Sequence, residues 1–123
     1  MQAMRRPLLS LLLLAATTLA AQATEKRVYR LDSVTAVAVK GGIQVQARGA
    51  VRSGGWSHVR LKLLHSDAKN VVIEFLAKPP AAGTVVIQGL LPVSAQATVK
   101  AGSGVTSVRV VADANDVTAQ VIH

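Results

Sequence analysis

Apolar and polar residues alternate with a period of two along most of this chain, and this spacing constrains the fold more than any other feature. In residues 43–48, IQVQAR, the Ile, Val and Ala fall on one face of a strand and the two Gln and the Arg on the other. Strands with one apolar face form sheets that have one side in water, and such sheets are commonly antiparallel. The same alternation recurs in residues 59–63, 71–78, 93–100, 108–110 and 117–122.

Residues typical of turns separate these segments. Gly41-Gly42 divides two alternating segments and predicts a hairpin. Residues 79–83, PPAAG, interrupt a ladder because proline lacks the backbone N–H, and residues 89–92, GLLP, predict a bend or bulge. No segment combines helix caps with a period of 3.6. We therefore expect an all-β domain, a single antiparallel β-sandwich that is immunoglobulin-like in architecture.

Residues 1–23 have the order of a secretory signal peptide. Two arginines precede a short apolar run over residues 8–14, and Ala21-Gln22-Ala23 places small residues where a signal peptidase reads them. The run is too short to cross a bilayer, which needs about 20 apolar residues. An uncleaved anchor is the alternative. We expect cleavage, a mature β-sandwich domain over residues 24–123, a periplasmic or secreted location in a bacterium, and no integral membrane association after cleavage.

The charge of the mature chain bears on its partners. Of the 14 Lys and Arg residues two lie in the leader, so 12 remain against 6 Asp and Glu, a net charge of +6. This balance favours an anionic envelope polymer or a protein as the partner, with solubility alone as the alternative. Nucleic acid is not expected, because one Trp, one Tyr and one Phe give almost no platform for base stacking. The absence of cysteine excludes a lipoprotein anchor and a disulfide scaffold.

No arrangement of residues points to catalysis or to a cofactor. Cysteine is absent and both methionines lie in the leader, which excludes thiolate and thioether metal ligands. His58 and His65 fall on opposite faces of one predicted strand, and zinc bound by His65 and Asp67 is the remaining alternative. Ser66 and Lys69 match the S-x-x-K of serine acyltransferases but lack the accompanying motifs. We expect a protein that is not an enzyme and holds no metal and no cofactor.

The sequence GAVRSGGW, which ends in the single tryptophan Trp56, is the most unusual segment. Its two adjacent glycines indicate a backbone conformation that other residues resist. By strand alternation Trp56 shares a face with His58, Arg60 and Lys62, and Arg52 lies nearby. On a solvent face, Trp56, Arg60, Lys62 and Arg52 would form a patch that stacks on a sugar or peptide and binds an anion. The alternative is that Trp56 caps the end of the core.

Three segments carry a resemblance: Gly49-x-Val51-x-Ser53-Gly54-Gly55-Trp56, then Pro79-Pro80-Ala81-Ala82-Gly83, then Val108-Arg109-Val110-x-Ala112-x-x-Asn115. Together they resemble a set of small secreted proteobacterial β-rich proteins of uncharacterised function. The resemblance runs over most of the mature chain and implies a leader followed by a compact β-rich domain. It implies no activity, cofactor or catalytic residue.

These observations predict an exported binding or interaction module for an anionic envelope component or a protein. The first alternative is a secreted inhibitor of a hydrolase, such as a protease or a lysozyme. It would insert residues 79–83 or residues 53–56 into an active site. A small hydrolase is the least favoured alternative, because no group of side chains forms a recognisable active site.

Overall fold

The computed structural model describes residues 24–123, and this part of the chain forms strands joined by turns, with no helix. The all-β class predicted from the alternation is confirmed. The predicted signal peptide, residues 1–23, lies outside the described residues, and no helix within residues 24–123 is long and apolar enough to cross a membrane. The strands are β1 (Lys26–Arg27), β2 (Arg30–Val39), β3 (Gly42–Ser53), β4 (Ser57–Ser66), β5 (Asn70–Lys78), β6 (Gln88–Lys100), β7 (Ser107–Val111) and β8 (Asp116–Ile122).

The strands form one curled mixed sheet. Its order is β1-β5-β7-β8-β2-β3-β6, and β4 pairs with β5 beside this path. Strands β2, β3 and β6 pair antiparallel, as do β1 with β5, β4 with β5, and β7 with β8. The sheet curls so far that the outer strands β4 and β6 approach each other without pairing.

The expectation of a purely antiparallel sheet is wrong for two strand pairs. β5 runs parallel to β7, and β2 runs parallel to β8. Period-two alternation shows which face of a strand is buried, but it carries no information on the direction of the neighbouring strand. The β-rich class therefore follows from the pattern, whereas the mixed topology does not. The immunoglobulin-like arrangement stays a prediction.

Small aliphatic side chains fill the space inside the curl, and Phe75 is the single aromatic residue among them. The inward faces of β3 and β5 supply much of this core, with Ile43 and Val45 from β3 and Ile73 and Phe75 from β5. Within the described residues no polar or charged side chain is buried. Since the chain has no disulfide, burial of these apolar side chains is the main source of stability.

The predicted turns lie close to their expected positions. The hairpin between β2 and β3 is confirmed, but its turn is formed by Lys40 and Gly41, because Gly42 already pairs with Val39. A bulge in β6 is confirmed as well. The pairing with β3 shifts between Val51 and Ser53, opposite residues 88–91, and Gly89 has a φ of 137° there.

A side-chain amide joins the β7–β8 turn to β2. The backbone N–H of Leu31 donates to Oδ1 of Asn115 at 2.8 Å, and Nδ2 of Asn115 donates to the carbonyl oxygen of Leu31 at 2.9 Å. The amide thus satisfies both backbone groups of Leu31, at a point where the pairing of β2 with β3 shifts by one residue.

Candidate functional site

The turn that contains Ser53 and Trp56 is closed by its own side chains. The indole Nε1 of Trp56 donates to Oγ of Ser53 at 3.2 Å, and this hydroxyl in turn donates to the carbonyl oxygen of Gly54 at 3.1 Å. The N–H of Gly54 donates to the carbonyl oxygen of Ile87 at 2.8 Å. The turn therefore orients Trp56 and also anchors the segment that leads into β6.

Gly55 allows this turn to pack closely against the β5–β6 connection. Its φ is +86°, and a Cβ at this position would lie 2.9 Å from Cβ of Pro80 and 3.0 Å from Cγ1 of Val86. A side chain would be disfavoured both by the backbone conformation and by the space available. This close approach explains why glycine stands at this position of the S-G-G-W segment.

Trp56 is half-buried and packs against the core together with Val59 and Leu61 of β4. Simple alternation does not hold at the start of β4, because the pairing with β5 shifts between Ser57 and Arg60, and His58 has a φ of 52°. Trp56 therefore packs on the core, as in the capping alternative, and also contributes to an open cavity.

This cavity, of about 620 Å³, is the main candidate for a functional site. The rings of Tyr29 and Trp56 line it together with Arg52, Lys62 and Leu76. The third aromatic residue of the chain, Phe75, is fully buried in the core. The cavity is therefore lined by every aromatic ring that lies outside the core. The other lining residues are Glu25, Lys26, Arg27, Glu74 and Asp113.

Arg52 lies over the ring of Tyr29, with its guanidinium carbon 5.0 Å from the ring centroid. This cation–π contact holds the guanidinium at the cavity wall without neutralising its charge. The same two residues line a neighbouring cavity of about 510 Å³ that Leu90 also lines. Tyr29 and Arg52 therefore line both the main cavity and this second cavity, which the start of β6 also lines.

Ion pairs neutralise some of the charged side chains that line the cavity and leave others unpaired within the described residues. Nε of Arg27 donates to Oε2 of Glu74 at 2.7 Å, and Nε of Arg60 donates to Oε2 of Glu25 at 2.7 Å. The hydrogen bond between these two side chains lowers the pKa of the Glu25 carboxyl and raises the pKa of the Arg60 guanidinium. Three cations of the cavity take part in no ion pair within residues 24–123. They are Lys26, Arg52 and Lys62.

The structure brings three of the four predicted site residues to the cavity. Trp56, Arg52 and Lys62 line it, whereas Arg60 lies outside it and forms its ion pair with Glu25. The sequence reasoning missed Tyr29, which lies in the short irregular segment between β1 and β2, where alternation gives no signal. The scarcity of aromatic residues is the one sequence feature that could have drawn attention to it.

The two histidines of β4 do not form a metal centre with other residues of the described part. His65 Nε2 lies 3.4 Å from Asp67 Oδ2, and no group of three or more His, Cys, Asp or Glu in residues 24–123 is placed to hold a metal ion. Asp67 instead accepts hydrogen bonds from the N–H groups of Lys69 and Asn70, which lower its pKa and close the β4–β5 turn. Its local role is therefore that of a turn residue.

Comparison of the chain with protein-family models, with curated proteins and with solved structures finds no match. The resemblance carried by the S-G-G-W segment stays a prediction.

Proposed function

We propose that this protein is an exported, non-enzymatic binding module that takes an anionic, sugar-containing component of the cell envelope into the cavity between Tyr29 and Trp56. The observation that carries the proposal is the combination of two aromatic rings with three cations that have no carboxylate partner in the described residues. The periplasmic or secreted location is part of this proposal and rests on the sequence of residues 1–23.

Each part of the cavity suits one part of such a ligand. Aromatic faces offer a flat apolar surface for the C–H face of a sugar ring, while the indole N–H of Trp56 is already occupied by Ser53. Arg52 and Lys62 supply charge-assisted hydrogen bonds for a phosphate or carboxylate. Asp113 is the one carboxylate of the cavity without an ion pair in residues 24–123, and it would favour a ligand that also carries hydroxyl donors.

The single tryptophan provides a direct test. Lipopolysaccharide and peptidoglycan fragments would be titrated against the protein, and Trp56 fluorescence would be followed with neutral dextran as the reference ligand. We expect saturable changes with at least one anionic ligand and none with dextran. The double variant Arg52→Ala/Lys62→Ala should weaken binding by about tenfold or more, since it removes two charge-assisted contacts.

A matched control removes the same charge elsewhere. Arg48 and Lys100 are exposed, lie outside the cavity and form no ion pair within the described residues. If Arg48→Ala/Lys100→Ala weakens binding as much as the cavity variant does, net charge and not the cavity determines affinity. Unchanged Trp56 fluorescence with every anionic ligand would remove the proposal altogether.

The alternative, inhibition of a secreted hydrolase, has weaker support. The turn over residues 53–56 is folded on itself, and its only large side chain, Trp56, packs partly on the core. Residues 81–83 present only two alanines and a glycine at the tip of the other proposed loop. Inhibition of any enzyme in a panel of proteases and lysozymes at micromolar concentration would revive this alternative.

A further inference from the structure

Three large apolar side chains are exposed in residues 79–90, a segment that comprises the β5–β6 connection and the first three residues of β6 and that we call the apolar loop. Val85 is 97 % exposed, Ile87 is 75 % exposed and Leu90 is 51 % exposed. Almost none of the surface of Val85 is covered by the rest of the described residues. These apolar side chains are therefore exposed although the end of the segment is joined to β3, where Gln88 pairs with Ser53.

The apolar loop is held in this position by defined contacts. The carbonyl oxygen of Ile87 accepts a hydrogen bond from the N–H of Gly54, and the N–H of Thr84 donates to the carbonyl oxygen of Ala81 at 3.1 Å. Val86 turns inward and is only partly exposed, at a position where it would meet a Cβ on Gly55. Val85 and Ile87, on either side of Val86, are both exposed.

Basic residues lie at both ends of the apolar loop. Arg52 lines the same cavity as Leu90, Lys78 immediately precedes the loop, and neither forms an ion pair within residues 24–123. Arg30, which also lines that cavity, is paired with Asp32 at 2.9 Å. The sequence contains no Asp or Glu between residues 75 and 112, so the loop itself carries no negative charge.

We propose that the apolar loop docks the protein on an anionic lipid bilayer. Val85, Ile87 and Leu90 would enter the boundary between headgroups and acyl chains, while Arg52 and Lys78 would contact lipid phosphates. This inference concerns a different surface from the main cavity, and only Arg52 belongs to both. It does not depend on the cavity ligand.

A bilayer suits this surface better than a protein partner does. Val85 and Ile87 are exposed apolar side chains next to unpaired cations in residues 24–123, a combination that matches the apolar and anionic layers of a bilayer surface. A bilayer adapts its shape to exposed apolar side chains, and its anionic headgroups match the charges of Arg52 and Lys78. A second copy of this chain would bring the same cations together, which is unfavourable at low ionic strength.

Vesicle co-sedimentation tests the proposal with two pairs of variants. The protein should sediment with vesicles made of equal parts phosphatidylglycerol and phosphatidylcholine, and much less with phosphatidylcholine alone or in high salt. Val85→Ser/Ile87→Ser should reduce partitioning by about tenfold or more. As the control, Val37→Ser/Ile122→Ser removes two exposed apolar side chains that pair across β2 and β8, and it should leave partitioning unchanged.

A labelled residue gives a second, independent measurement. The chain has no cysteine, so Val85→Cys or Ile122→Cys introduces a single site for an environment-sensitive fluorophore. The label at residue 85 should shift to shorter emission wavelength on anionic vesicles, and the label at residue 122 should not.

Three results would overturn the inference. One is equal partitioning of the protein and Val85→Ser/Ile87→Ser, and another is the absence of a spectral shift at residue 85. The third is a dimer in sedimentation velocity that this variant dissociates, which would make the loop a contact between two copies. Retained Trp56 fluorescence changes with the envelope ligands would show that only the bilayer inference, and not the cavity proposal, has failed.

Discussion

The indole of Trp56 is held by the hydroxyl of Ser53, three residues earlier in the chain, through a hydrogen bond of 3.2 Å. The backbone of the same turn holds Ile87. One short turn thus orients an aromatic wall of the cavity and also binds one end of the apolar loop. Changes in this turn are therefore expected to affect two surfaces together.

Ser53→Ala removes the acceptor for the indole N–H. We expect a loss of about 0.5 to 1.5 kcal/mol in the free energy of unfolding, the net value of one hydrogen bond, and altered Trp56 emission in the folded state. Urea unfolding followed by fluorescence measures both. Ser94→Ala is the control, since Ser94 is exposed on β6 and makes no side-chain hydrogen bond to the described residues. An equal effect at Ser94 would contradict the role given to Ser53.

Gly55→Ala should destabilise the protein more than Gly83→Ala does. Both glycines have positive φ, +86° and +84°, so each substitution costs about 1 to 2 kcal/mol in backbone strain. Only at Gly55 would the new Cβ crowd Pro80 and Val86, which adds about 1 to 3 kcal/mol, whereas nothing lies within 4 Å at Gly83. Urea midpoints of the two variants separate strain from crowding. Equal midpoints would mean that the β5–β6 connection moves away at no cost.

Asn115→Ala should lower the free energy of unfolding by about 1 to 3 kcal/mol, because it leaves both the N–H and the carbonyl oxygen of Leu31 without their partner. Asn115→Asp keeps an acceptor for the N–H but places a carboxylate against the carbonyl oxygen. It should therefore be no more stable than Asn115→Ala at neutral pH and should recover stability in acid. Thermal unfolding of both variants at two pH values checks this order, and a fully stable Asn115→Asp would refute it.

Acid should destabilise the folded protein through Asp67. Hydrogen bonds from the N–H groups of Lys69 and Asn70 lower the pKa of Asp67. A carboxyl with a lowered pKa in the folded state contributes stability above its unfolded pKa, and this contribution is lost as the pH falls through the folded value. The melting temperature should therefore decrease below about pH 4.

The variant Asp67→Asn isolates this effect. The amide oxygen still accepts the hydrogen bonds of the turn, but it does not titrate. We expect a smaller decrease of the melting temperature between about pH 6 and pH 3 than in the unaltered protein. Identical acid profiles would instead point to other carboxylates, of which Glu25 is the first candidate because Arg60 lowers its pKa.

Local patterns in the sequence were enough to predict the β-rich class, the β2–β3 hairpin and the bulge in β6. Burial of one strand face imposes a period of two, and turns need glycine or proline at particular positions. The parallel pairs could not be predicted, because strand direction depends on which distant segments become neighbours. The same applies to Arg60, whose partner Glu25 lies 35 residues earlier in the chain.

The site was predictable to a similar extent. Trp56, Arg52 and Lys62 lie close together in sequence, so one segment indicated all three. Tyr29 and Lys26 reach the cavity from the start of the chain's described part, and no local pattern relates them to Trp56. The irregularity at His58 could not be predicted either, because a positive φ at a residue other than glycine cannot be recognised from a single sequence.

The parallel pairing of β2 with β8 also sets the order in which the molecule is completed. Ala36 pairs with Val121, so β2 cannot complete this pairing until β8 has been synthesised. Contacts between segments so distant in sequence slow folding, because a long loop must close before the contact contributes any stabilising energy. A ribosome-bound chain would therefore lack the β2–β8 pairing until β8 emerges. Under the export proposed above, this delay would keep β2 and β8 apart during translocation.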